Sequence, residues 1–449
     1  MGVIIRGGTV VAPEGALAAD VRVVDGVISA VGEDLPAEGS DEVVDAAGCY
    51  VLPGGVDPHC HVMADLPAAS RAAALGGTTT LLSFTSPGED EPPAPGVRAA
   101  RRLVEEGGSM VDVGLHAACY RPDELTGADV EEVARLGADA IKVFLAYPEL
   151  GIMASGGGLL RAMTHAARVG LPVQVHGEDG EIIEALVERA AAAGRRDLPV
   201  FAEVRPAVTE ELAVDRVLAI ADLTGARCYL PHLSTEGAVE AVRRRRAGGT
   251  GPAAVTAEVC VHHALLDDGE YQVPAGEGFL VAPPLRPRRH VEAVARALAD
   301  GTIDAVGSDH SQHPTPVDGR IASSASASYG IPGIGARLPL FLSWGQARGI
   351  PVERMAHLLA TGPARAFGYG TKGALAPGMD GDIVVWDPAA RWTITADAFP
   401  DGTGRAPYAG RPVTGRIRFV CGRGRVLVRD GEPVDARPEG RLAPRGPLR

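Results

Sequence analysis

Gly55-Val56-Asp57-Pro58-His59-Cys60-His61 decides how the chain reads. It starts as an apolar strand and ends in two histidines two residues apart, so period-two alternation sends both imidazoles to one face and the Cys60 thiol to the other. Four more apolar runs carry a polar side chain at or near their ends. Ala140-Ile141-Lys142-Val143-Phe144-Leu145-Ala146-Tyr147 holds Lys142, Val173-Gln174-Val175-His176 ends in His176, Tyr229-Leu230-Pro231-His232 in His232, and Val306-Gly307-Ser308-Asp309 in Asp309.

Outward from these runs the pattern repeats. Strand-like segments begin near Val56, Thr78, Val111, Ala140, Pro172, Arg227, Ala254 and Ala305, each followed by a stretch rich in Ala, Leu, Glu and Arg. Eight βα units over roughly 300 residues fit a TIM (β/α)8 barrel, although a doubly wound sheet shares the local texture. Polar residues at the C-terminal ends of several different strands favour the barrel, because that rim is where barrel chemistry is assembled. The first fifty or so residues read differently, as short strands with Gly turns, and the same texture returns in Asp382-Ile383-Val384-Val385-Trp386 and beyond. The expected organisation is a β-sandwich built from both ends, residues 1–52 and 369–435, a barrel over 53–368, and an irregular tail over 436–449.

Composition narrows the function. A chain of 449 residues with 46% hydrophobic content supports a large core and a smaller second unit. A net charge of −14 argues against nucleic acid or an anionic membrane surface as partner, and Arg243-Arg244-Arg245-Arg246 reads as a solvated helix end. The six cysteines show no CxxC spacing, the N-terminus no signal-peptide pattern, and no apolar stretch reaches membrane-span length. A reduced cytoplasm is the expected compartment.

Only two of the 43 Lys+Arg residues are lysines, Lys142 and Lys372. Arginine stands nearly everywhere else, yet an amine is kept inside an apolar run where a charge is costly. Arginine cannot give up its proton, whereas a buried lysine can become a neutral nucleophile, able to form a Schiff base or take up CO2 as a carbamate. From that run alone, a lysine snorkelling from a strand end reads equally well. The histidines weigh against it. One histidine at a strand end is usually packed or hydrogen-bonded, but five strand ends supplying His, His, Lys, His, His and Asp make a poor coincidence. A barrel brings them round one mouth, and imidazole and carboxylate suit divalent ions such as Zn2+. Two neighbouring cations need a shared anion, and a carbamate on Lys142 supplies two oxygens and a negative charge on a long stem.

These residues resemble the cyclic amidohydrolases of the amidohydrolase superfamily, nearest in texture to hydantoinases and dihydropyrimidinases. The likeness also rests on Val175-His176-Gly177-Glu178-Asp179-Gly180, His232-Leu233-Ser234, Ala282-Pro283-Pro284-Leu285-Arg286, Gly307-Ser308-Asp309-His310 and Lys372-Gly373-Ala374-Leu375-Ala376-Pro377-Gly378, and runs to about residue 430. It implies a hydrolase that opens a cyclic amide, imide or ureide, or closes that ring. Two divalent ions, commonly zinc, are implied: His59 and His61 on one, His176 and His232 on the other, carboxylated Lys142 bridging, and Asp309 on the first. The resemblance further implies that a metal-bridging hydroxide would attack the ring carbonyl, with Asp309 shuttling the proton and Tyr147 donating to the oxyanion. Ala282, Tyr329 and Gly330 match places where relatives hold the substrate through main-chain groups. The family likeness further implies a homodimer or homotetramer. The alternatives are an allantoinase-like or specialised-metabolism enzyme acting on another ring, and a non-catalytic scaffold; scaffolds typically lose ligands, whereas every candidate ligand is present here.

Departures from the family bear on the substrate. The link from His61 to the helical Arg71-Ala72-Ala73 is short, which opens the pocket. Met63 stands where dihydroorotases carry a carboxylate-binding arginine, and Gly335 or Ala336 replaces an acidic residue. His262 and His263 read as rim or supporting residues; His116, His310 and His313 carry no assignment.

Overall fold

Short strands turned by pairs such as Asp25-Gly26 open the chain: β1 (Val3–Ala12), β2 (Gly15–Val24), β3 (Val27–Gly32), β4 (Glu42–Asp45) and β5 (Tyr50–Pro53). The computed structural model of the protein describes residues 2–39, 41–195, 197–248, 253–312, 329–434 and 437–446. Apolar runs then give β6 (Gly55–His61), β7 (Thr78–Phe84), β8 (Asp112–Ala118), β9 (Ala140–Phe144), β10 (Val173–His176), β11 (Cys228–Leu230), β12 (Val255–Cys260), β13 (Ala305–Gly307) and β14 (His310–Ser311). Parallel strands covered by helices are buried on both faces, which is why these runs are nearly continuously apolar. The chain ends in β15 (Ile383–Thr393), β16 (Pro412–Gly422), β17 (Arg425–Arg429) and β18 (Glu432–Pro433).

The middle strands form one parallel sheet of order β13-β12-β11-β10-β9-β8-β7-β6-β14. β13 pairs with β12 and β14 with β6, so the two are halves of one strand that closes the cylinder of a (β/α)8 barrel. The run read as ending at Asp309 thus continues two residues past it. Asp57 fixes the closure: its Oδ1 accepts from Ser308 N at 3.0 Å, and Arg337, stacked in the same interior, donates from Nη1 to Val306 O at 2.7 Å.

The helices follow local rules. Gly156–Val169 starts where the Ser155 hydroxyl accepts from Gly158 N at 3.0 Å and stops at Gly170, whose φ of 70° ends a helix at little cost to glycine. Its Leu159, Ala162, Met163 and Ala166, at helical spacing, are all buried. Among the described residues no helix is long and apolar enough to cross a membrane.

Both chain ends build a second, nine-stranded mixed sheet, β18-β17-β16-β15-β5-β1-β2-β3 with β4 beside β1. It closes over its own core, including Ile5, Val21, Ile28, Val51, Ile383 and Phe419, as a β-sandwich does. Lys372 fastens it to the barrel: Nζ lies 2.9 Å from Asp112 at the start of β8, 3.0 Å from Asp380 and 2.9 Å from Asp382 just before β15. Residues 437–446 carry no helix or strand but are tied to β8, Val113 N donating to Arg441 O and Ala443 N to Val113 O, both at 2.9 Å.

Candidate metal centre

One rim of the barrel opens into a cavity of about 420 Å3. Its lining includes His59, His61, Lys142, Tyr147, His176, His232, Ala282, Asp309, Tyr329 and Gly330, so the residues expected to hold metal or substrate reach one place. Tyr147, His232 and Asp309 have φ of 69°, 43° and 45°, in the left-handed region that non-glycine residues rarely occupy. Each comes directly after, or close behind, the end of a barrel strand. Strain of this kind concentrates at functional sites, where the surroundings hold a side chain in an otherwise unfavourable direction.

The donors are close. Asp309 Oδ1 lies 3.1 Å from His59 Nε2 and 3.5 Å from His61 Nε2. The rings of His59 and His232 are 5.3 Å apart between centroids, and those of His176 and His232 4.7 Å. Lys142 is 1% exposed; its Nζ sits 4.8 Å from the Phe84 ring centroid and 5.3 Å from that of Phe144. It has no ion pair or hydrogen bond among the described residues.

Buried carboxylates behind the cavity orient two of the imidazoles. His59 donates from Nδ1 to Glu258 Oε1 at 2.9 Å, which leaves Nε2 for the cavity. Glu258 is itself held by the Tyr229 hydroxyl at 2.7 Å. His176 donates from Nε2 to Glu178 Oε2 at 2.9 Å, and that oxygen also accepts from Arg205 Nη1 at 2.9 Å. The Arg205 guanidinium lies 5.5 Å from the Tyr147 ring centroid, so one cation steadies both groups. Partners of this kind fix the tautomer and direction of metal-binding histidines.

The charged groups around the cavity shift one another. Burial alone would lower His59, but Asp309 and Glu258 outweigh it and raise its pKa to about 9. Burial would raise Asp309, yet His59 and His61 hold it well below the ordinary carboxylate range. Burial brings Lys142 down to about 8 despite the pull of Asp309 and Glu258, so a neutral amine is within reach near neutrality. Burial likewise pushes His232 far down and the Tyr147 hydroxyl far up, leaving one a neutral acceptor and the other a protonated donor.

The donor set fits a pair of divalent ions. Four imidazoles, a carboxylate and an amine able to carry a carbamate offer nitrogen and oxygen ligands of the type zinc takes. His232 Nε2 is buried without a hydrogen-bond partner, an arrangement costly for a polar atom unless something else engages it.

Other sequence candidates lie elsewhere. Cys60 turns away, its thiol donating to Leu82 O at 3.4 Å. His116 is buried below the cavity with Nε2 3.0 Å from Pro58 O, and His310 Nδ1 accepts from Gly333 N at 3.1 Å. His313 lies outside the described residues. Gly330 N already donates to Leu280 O at 2.9 Å, and its carbonyl accepts from Arg405 Nη1 at 3.0 Å, so both of its main-chain groups are engaged within the protein. Glu258 and Arg205 were not among the sequence candidates. Glu258 had a signal: it is a lone carboxylate inside the strand Val255-Thr256-Ala257-Glu258-Val259-Cys260, just as Lys142 is a lone amine in its own. Arg205 had none.

Comparison with known proteins places the chain among relatives. A sequence profile described as the amidohydrolase family matches residues 50–427. The D-hydantoinase of Streptomyces coelicolor is 32% identical, covering 98% of this chain and 97% of that protein. The allantoinase of Rubrobacter xylanophilus is 35% identical over 98% and 96%. A crystal structure of a D-hydantoinase superposes with a TM-score of 0.92 at 30% identity, covering 99% of both chains. That of the dihydropyrimidinase from Brevibacillus agri gives 0.90 at 30% identity, covering 98% of each.

Proposed function

The chain belongs to the amidohydrolase family and is a hydantoinase-like hydrolase of cyclic amides; from that premise we propose that it works with two divalent ions held by His59, His61, Lys142, His176, His232 and Asp309. The observation that carries this reading is the convergence of all six side chains on one cavity, with Lys142 buried and unpaired among them. The ions, zinc in our reading, supply Lewis acidity and a water of lowered pKa. A carbamate on Lys142 would supply an anion to help hold them.

The chain's own groups do the rest. Asp309, ionised by its neighbours, takes a proton from the attacking water and hands it to the leaving ring nitrogen. Tyr147, kept protonated by burial, donates to the oxygen that gains charge at the carbonyl carbon. Glu258 and the Glu178–Arg205 pair hold His59 and His176 in direction. Phe84, Phe144 and Ile152 line the cavity with apolar surface that keeps bulk water from the ring. The substrate is a small cyclic amide, imide or ureide, a hydantoin, dihydropyrimidine or allantoin type of ring.

We further propose a homo-oligomer in a reducing cytoplasm. Leu160 on the helix Gly156–Val169 and Val208, Leu212 and Leu223 on the neighbouring helix Ala207–Thr224 are exposed, a surface a second copy would cover. All six cysteines are free and buried. The test is to load purified protein with zinc and bicarbonate, measure bound metal, and screen hydantoins, dihydropyrimidines, allantoin and cyclic imides for ring opening. The expected result is nitrogen- and oxygen-bound metal that is lost with Lys142→Ala together with turnover of one ring class. Folded, metal-free protein without turnover would favour a scaffold instead.

A further inference from the structure

Beyond the cavity, β12 runs into a short helix, Val261–Leu265, and the junction gathers a second set of soft donors. Cys260, His262 and His263 each present one ligand atom, and these atoms lie within 4.8 Å of one another. Donors around a single zinc ion sit about 2.0–2.3 Å from it, so three of them fall within that mutual separation. All three residues are buried, at 0%, 0% and 2% exposure.

The hydrogen-bond pattern points to a ligand. His263 donates from Nε2 to Pro283 O at 2.9 Å, so its Nδ1 is a bare lone pair, and that nitrogen is buried without a partner. A carbonyl fixing the far nitrogen while the near one is left free is the arrangement that prepares a histidine for a metal. Both ring nitrogens of His262 are also buried and unpartnered. Leaving such polar atoms unengaged in apolar surroundings is costly. The Cys260 thiol has only a long contact to Glu258 Oε1, at 3.4 Å.

We propose that Cys260, His262 and His263 bind a third, borderline-soft divalent ion of the zinc class, separate from the pair in the cavity. One thiolate and two neutral imidazoles leave a fourth position for water, and binding releases the thiol proton to solvent. The ion clips the end of β12 to the segment around Pro283. Its nearest link to the cavity is Glu258, which touches both the thiol and His59. The six candidate donors in the cavity contain no sulfur.

That difference in donors makes the test independent of the proposed catalytic pair. X-ray absorption at the zinc edge of wild-type protein loaded with zinc should show a sulfur scatterer at about 2.3 Å. Cys260→Ser should lose that scatterer and about one zinc per chain, and Lys142→Ala should keep the sulfur shell while losing the nitrogen- and oxygen-bound ions. Zinc bound with nitrogen and oxygen neighbours alone in the wild type overturns the proposal, as does a sulfur shell that survives in Cys260→Ser. Should that variant fail to fold, the wild-type spectrum still decides.

Discussion

The two lysines of this chain are both buried, and they are opposites. Lys372 is ringed by Asp112, Asp380 and Asp382 at about 3 Å. Burial would lower its pKa, but the three carboxylates more than compensate and raise it. Lys142 has no such partner, and burial prevails, bringing it down to about 8. A lysine paired on every side is a fastener whose charge is permanent. A lysine left alone in a low-dielectric cavity is free to be neutral and to react. Arginine could replace neither, for different reasons: the cradle at Lys372 is built for a compact ammonium, and the chemistry proposed for Lys142 needs an amine that can lose a proton.

The strongest way to break this contrast is Lys142→Arg. Turnover should fall to background although a cation remains; wild-type-like turnover would remove the amine from the mechanism. Next comes Asp309→Asn, which should keep metal yet lose about 10²–10⁴ in kcat, because an amide cannot shuttle a proton; steady-state kinetics on metal-loaded protein reads it. Lys372→Ala should do the reverse of Lys142→Arg. It leaves three buried carboxylates with only Arg423, beside Asp112, as a remaining cation and should destabilise the fold by about 3–5 kcal/mol, with near-normal activity in the fraction that remains folded. Denaturant melts beside assays at low temperature separate the two effects.

Acid sharpens the same point. Burial would raise Asp112, but Lys372 and Arg423 hold it below its ordinary value of 3.8. A carboxylate lowered on folding contributes stability above its unfolded pKa and loses it as pH falls through the folded value. Lys372, raised on folding, contributes fully below its ordinary value of 10.5 and loses its share only as pH climbs past its folded value. The gap in melting temperature between wild type and Lys372→Ala should therefore be widest near neutrality and shrink below about pH 4. A gap that stays constant into acid would contradict the role of Asp112. The smallest expected effect is that of Glu258→Gln, about 10–100-fold in metal affinity by competition with a chelator, since the amide still contacts His59.

Much of this was legible before any coordinates. Strand starts near Val56, Thr78 and Ala140 come from apolar runs whose physics is local, and the candidate ligands stand out because they are polar side chains where such runs end. What was not legible depends on three dimensions. The split of the last barrel strand arises from Asp309 turning at a positive φ, which no periodicity announces. The spent N–H of Gly330 depends on Leu280, fifty residues away in sequence. Arg205 lies among helices, and only the fold brings it behind Tyr147 and onto Glu178. Glu258 was readable by the rule that found Lys142, since a charge inside a buried strand needs a reason. His262 and His263 sit past the strand end, and their value as ligands shows only once Pro283 is seen to hold one of them.

The central claim is that the unpaired amine of Lys142 carries a carbamate, and carbon-13 NMR of metal-loaded protein prepared with labelled bicarbonate tests it most directly. A single slowly exchanging carbamate resonance that vanishes in Lys142→Arg and persists in Lys372→Ala is the predicted result. Active wild-type protein without that resonance, or a resonance that disappears with Lys372 instead, would contradict it.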